Sequence, residues 1–257
     1  MIRVSASAFD ILWTDLGHDR PPEPLSVRSV GGTDEERAEV RKAVYENLAG
    51  RGLYDGSRLE PALAHRLELL AAGEVYVACE ALADMTAELP FRAVTAVRGR
   101  RGVLATQPEQ TISLDGIRES ELCTAIVDVL PELTAGPGYG VSLAAAALGS
   151  GVEGVEGVED PVFAERGARS AASSAQLREV LAIQARPVYA AGQFSVSRRG
   201  ASGRVERTGG LTWFDTDVGA YCATKSAGRG GQDWVTVTPV DSARLASRVA
   251  ALVTPEA

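Results

Sequence analysis

Apolar positions along the chain fall into two alternating regimes. Near the start, Phe9, Leu12, Trp13 and Leu16 recur at the i, i+3, i+4, i+7 spacing of one helical face, with Ser7-x-x-Asp10 as a capping pattern and Gly17 as the stop. "RPPEPL" then reads as an extended connector. A second capping box, Thr33-x-x-Glu36, opens a helix lined by Val40, Val44 and Leu48 and stopped by Gly50 and Gly52. A third helix follows Pro61, with Leu63, Leu67 and Leu70 as its stripe. The period then drops to two. Val75, Val77 and Cys79 alternate, as do Phe91, Ala93, Thr95 and Val97, and "RGRRG" from Arg98 to Gly102 has the glycine content of a hairpin turn. "VLAT" and "TISL" give two more strands, and a helix is expected from about Glu119 to Leu130, closed by Pro131.

Residues 134–160 are glycine-rich and contain the tandem "GVEGVEGVE", which predicts a linker or a mobile loop. Past it the earlier order returns. A helix is expected over Ser173 to Gln184, then strands in "RPVYAAGQFSVSRRG", "GRVERTGGLTWF", "DVGAYCAT" and "DWVTVTP". A closing helix begins near Asp241 with Leu245, Val249 and Leu252 on one face. Helical material, a four-strand meander and a final helix thus occur twice. The expectation is an α+β fold in one domain over residues 1–257, its halves at about 1–133 and 161–257.

Composition narrows the function more by exclusion than by pointing. At 257 residues with a net charge of −8, the chain can bury a core unaided but offers no overall basic face for nucleic acid. Cys79, Cys123 and Cys222 are odd in number and widely spaced, which argues against a disulfide framework or a structural zinc site. With no basic-then-apolar opening and no spanning run, a cytoplasmic protein without membrane contact is expected.

Three motifs invite chemistry. Asp215 and Asp217, in "WFDTDVGAYC", lack the downstream carboxylates that a divalent cation would want, so they read as a turn. Gly149-Ser-Gly151-Val-Glu-Gly154 matches a dinucleotide fingerprint but is followed by Glu153, Glu156 and Glu159, which would repel phosphate. His18 and His65 are the only histidines and stand without partner motifs. No catalytic residue, metal or cofactor is assigned. Arg98, Arg100 and Arg101 read first as a solvated turn, and second as a rim that steers an acidic partner.

Taken in order, "GTDEERAEVRKAVYENLAGRGLYDGSRLEPALAHRLELLA", "GQFSV", "LTWFDTDVGAY" and "TPVDSARLASRVAALV" resemble the EspG family of ESX (type VII) secretion-associated chaperones. The family's DT..GRY pattern is similar to Asp215, Thr216, Gly219, Ala220 and Tyr221 here, with alanine in place of the usual arginine. The resemblance implies a central antiparallel sheet from two quasi-two-fold halves, flanked by helical bundles. It also implies a cytosolic, non-catalytic chaperone that binds the PPE tip of a PE–PPE heterodimer or another helical secretion substrate, and it admits a homodimer. A groove for such a tip is expected with Val94, Ala96, Phe194 and Val196 as floor, Leu177, Val180 and Leu181 as wall, and Arg98, Arg100 and Arg101 as rim. The rival expectation is a small-molecule-binding or hydrolytic α+β protein with a pocket on the sheet.

Overall fold

The computed structural model describes residues 1–146, 175–228 and 232–254. The "GVEGVEGVE" tandem, the fingerprint-like glycines and the first two residues of the helix expected from Ser173 lie outside the described residues. Strand β1 (Ile2–Ser5) runs directly into α1 (Ala6–Asp15), and α2 (Asp34–Gly50) and α3 (Pro61–Ala72) follow. A meander of β2 (Val75–Leu82), β3 (Phe91–Arg98), β4 (Arg101–Gln107) and β5 (Thr111–Arg118) comes next, closed by a 3-10 turn (Glu119–Glu121) and the short α4 (Thr124–Val127). The second series holds β6 (Val141–Ala144), a helix α5 over residues 175–184, β7 (Val188–Arg199), β8 (Val205–Thr216), β9 (Gly219–Ala227), β10 (Asp233–Pro239) and α6 (Ser242–Val253).

All ten strands join one antiparallel sheet in the order β1-β5-β4-β3-β2-β7-β8-β9-β10-β6. In each half the first strand pairs with that half's last, at the outer edge, and the two meanders meet along β2 and β7. The duplication expected from periodicity is therefore a quasi-two-fold about the β2–β7 seam.

Local chemistry explains the ends of the elements. The capping oxygen of α1 is that of Ser5, which accepts from Ala8 N at 3.1 Å, so the helix starts before the expected Ser7 box. Leu16 falls at the C-cap and is exposed, while Phe9, Leu12 and Trp13 are buried. Thr33 caps α2 as expected, accepting from Glu36 N at 3.2 Å, but the Glu36 carboxylate takes Gly32 N instead of closing the box on Thr33. The helix expected over 119–130 is shorter. Glu121 Oε2 caps Arg118 N at 2.7 Å, and the chain then turns so that Leu122, Ile126, Val127 and Leu130 all enter the core. β6 lies inside the span expected as linker. Only Val141 and Leu143 alternate inward there, opposite Val237 and Val235, which is too short a run to stand out in the sequence.

The sheet has two differently dressed faces. On one, α4, α6 and the segment around Leu122 to Leu133 cover a core drawn from both halves, with Val77, Cys79 and Ala93 beside Phe194, Val196, Trp213 and Cys222. Thr95, fully buried on this face, ties strand to cover by donating to Leu122 O at 2.9 Å. On the other face, α1, α2 and α3 pack Phe9, Trp13, Leu63, Leu67 and Leu70 against Val94, Ala96, Ala105 and Leu114. Farther along that face, α5 sets Val180 against Val141, Leu143, Tyr221 and Val237.

Candidate functional site

Between these two covers, the described residues leave the middle of the second face open. Three adjoining hollows of about 580, 380 and 430 Å³ run across β2, β7 and β8 and share Arg207 in their linings. Their floor follows from strand alternation. Because Phe194 and Val196 point into the core of the opposite face, Gln193, Ser195 and Ser197 point up into the groove beside Ala78 and Glu80 of β2. The proline-rich connector forms one wall. Gln107, buried to 2% exposure, grips it by accepting from Ser26 N and donating to Ser26 O, each at 2.8 Å, and Leu25 tucks into the core below.

Most of the groove's charges are already engaged. Arg92 pairs with Glu80 at 3.3 Å, and Lys225 pairs with Asp233 at 2.6 Å. Arg199 donates to Ala71 O at 2.7 Å and Gly73 O at 2.9 Å, completing the C-terminal end of α3, and also reaches the Tyr76 hydroxyl at 2.8 Å. Arg207 differs. A bulge at Thr208, where Val196 faces Gly209 but Ser197 faces Arg207, turns the arginine toward the groove. Gly210 leaves room for it, since a Cβ there would stand 2.6 Å from Arg207 Nη2. Among the described residues Arg207 has no carboxylate partner; its Nε donates to Gly209 O at 3.5 Å, which leaves the two terminal nitrogens to take an acceptor from a guest.

The expected groove residues do not assemble into one site. Val94 and Ala96 are fully buried beneath α3, whereas Phe194 and Val196 are fully buried on the other side of the sheet. The four expected floor residues alternate in the sequence, but the pairs Ala78↔Val94 and Cys79↔Phe194 place them on opposite faces. Leu177 and Val180 pack over β6, β9 and β10 and do not wall β7, while Leu181 is half-buried on the same helix. Arg98, Arg100 and Arg101 are exposed at the β3–β4 hairpin and line none of the three hollows. The residues that do line the groove lie outside that expectation, and the polar phase of "GQFSVSRR" is the sequence signal that points to them.

The remaining motifs have structural employment. Asp215-Thr216-Asp217 ends β8, with Thr216 Oγ1 donating to Gly219 O at 2.7 Å and Asp217 paired to Arg186 at 3.1 Å. Ala220, where the resemblance leads one to expect arginine, is fully buried; its N–H donates to Thr134 O at 2.7 Å and its carbonyl accepts from Gly136 and Val240. Among the described residues no three His, Cys, Asp or Glu side chains gather as metal ligands. Burial pushes the Cys79 thiol up to about 12 and the Cys123 thiol to about 11, so both stay protonated at neutral pH and are poor nucleophiles. His18 rests on Trp13 with ring centroids 4.7 Å apart.

The doubled α+β fold is shared with known proteins. The chain belongs to the EspG family, whose sequence profile matches residues 5–251. Its fold is also that of the Mycobacterium tuberculosis type VII secretion system chaperone EspG5, solved in complex with a PE25–PPE41 dimer. The TM-score is 0.70 at 14% identity, covering 98% of this chain and 95% of that one. No curated protein matches. No helix among the described residues is long and apolar enough to cross a membrane.

Proposed function

We propose that this chain is a cytosolic, non-catalytic chaperone of a type VII secretion system. It seats the helical end of a PE–PPE-like substrate in the groove over β2, β7 and β8 and so keeps that substrate soluble before export. The observation that carries this reading is the groove itself, open to solvent between two helical covers and floored by hydrogen-bonding side chains. Gln193, Ser195, Ser197 and Thr212 supply donors and acceptors that lose little by exposure while the groove is empty. Arg207 supplies the directional contact, a planar donor fork suited to a carboxylate or to the free carbonyls at a helix end. Family membership and the fold of a chaperone solved with its PE–PPE partner support the choice of guest.

The test is co-expression of this chain with a PE–PPE heterodimer, followed by size-exclusion chromatography. A stoichiometric three-chain complex is expected from the wild-type protein. Arg207→Glu, an exposed change that should leave the fold intact by circular dichroism, is expected to weaken the complex by about tenfold or more, as loss of a charged hydrogen bond does. A wild-type chain that elutes free of the heterodimer, or carries a small molecule in the groove instead, would overturn the reading.

A further inference from the structure

Away from the groove, the same face of the sheet carries a row of arginines that the fold does not use. Arg98 on β3 lies opposite Arg101 on β4, and Arg101 lies opposite Arg118 on β5. Alternation puts all three on the side of Val94, Ala96 and Leu114, the side that α3 covers. All three are exposed, as is Arg100 at the hairpin tip. From α3, Arg66 leans over the same strands, donating to Leu114 O at 3.1 Å and passing within 3.8 Å of the place a Cβ on Gly116 would occupy. Among the described residues none of these five guanidiniums has a carboxylate at ion-pair distance.

This arrangement has a physical cost. Like charges directly across a strand pair are destabilising, and here the opposition is repeated over three strands. The chain as a whole has the other sign, with a net charge of −8. Against that sign, these arginines gather positive charge in one narrow strip.

Spacing indicates what the strip fits. Neighbouring strands lie about 4.8 Å apart, so the three arginines form a row with that step at right angles to the strands. Residues three or four apart on a helix present Cβ atoms about 5–6 Å apart along one stripe. A helix laid across β3, β4 and β5 therefore matches the row residue for residue. Each carboxylate on its stripe can take a two-pronged guanidinium contact. A long nucleic acid would instead meet a chain whose net charge is −8.

We propose that Arg98, Arg101 and Arg118 form a docking strip for an acidic helix of the client, with Arg66 and Arg100 at its ends. This rests on the reading above that the client is helical, and it adds a second contact outside the groove. A client gripped at two separated places is held in one orientation, which a single groove contact does not ensure.

The probes are two blocked, alanine-based helical peptides of identical composition. One carries glutamates at i, i+4 and i+8; the other spreads them around the helix. Anisotropy titration of the full chain at low salt is expected to favour the striped peptide by about tenfold. That preference should vanish in Arg101→Glu and shrink as salt of about 0.3 M screens the exposed charges. Arg118→Glu, on a different strand, provides an independent check if Arg101→Glu perturbs the hairpin. Equal binding of the two peptides, or a preference that survives both variants, overturns the proposal. So does tighter binding of an oligothymidylate than of the striped peptide. A dimer by light scattering that dissociates in Arg101→Glu would assign the strip to a second copy of this chain and overturn the client assignment. Arg207→Glu should leave the peptide preference untouched. Loss of the PE–PPE complex with the preference intact therefore counts against the groove alone.

Discussion

The two halves of the sheet share a strand order and differ in what lies on top of them. Over β1 to β5, three helices bury a dense apolar group that includes Phe9, Trp13, Leu63, Leu67 and Leu70. Over β6, β9 and β10, the described residues bury a smaller group around Val180, Tyr221 and Val237. The equivalent hairpin turns also diverge: Arg98 to Arg101 carry positive charge at one end of the sheet, and Asp215 to Asp217 carry negative charge at the other. The opposite face shows no such asymmetry, since α4 and α6 feed one shared core. Among the described residues, duplication has thus kept the backbone and one face while the other face became heavily covered on one side, lightly covered on the other, and open between.

That contrast can be broken most sharply in α3. Leu67→Ala removes a fully buried side chain from the heavier cover and is expected to cost about 2–5 kcal/mol in urea unfolding. In α5, Val180→Ala removes two methyl groups at a site of 1% exposure and should cost about 1–2 kcal/mol. If the two costs come out equal, the covers do not differ in the way the packing says. The smallest effect concerns pH. Burial, then a hydrogen bond to Asp15, pushes the Tyr45 hydroxyl on α2 up to about 12 from its ordinary 10. A raised folded value favours the protonated phenol, so its contribution is intact below pH 10 and is lost as pH rises toward 12. The melting temperature of the wild type should therefore fall more steeply over that window than that of Tyr45→Phe, and parallel curves would refute the assignment.

Much of this fold was legible because regular periods carry information about burial. The stripe Leu63, Leu67, Leu70 and the alternations of β2, β3 and β7 sit where the spacing put them, and the repeated order disclosed the quasi-two-fold. What could not be read was which face of a strand meets which cover. Phe194 and Val94 are equally apolar in the sequence, and only the register across β2 separates them onto opposite sides. The error in the expected groove came from that ambiguity, since a hydrophobic floor was sought where the open surface is polar. β6 escaped notice because four residues with two inward side chains fall below any usable period. The turn at Asp215 to Asp217 was legible because turn chemistry is local, needing only Thr216, Gly219 and their neighbours.

The pairing of each half's first strand with its own last strand has a practical corollary. Every named ladder except β2–β7 lies within one half, so a cut between Pro137 and Gly140 crosses none of them, and the isolated bridge Ala135–Ala220 would still join the pieces. The two pieces would meet again along one ladder and one shared apolar layer. This makes the molecule a natural candidate for a split reporter, reassembled from separately expressed fragments.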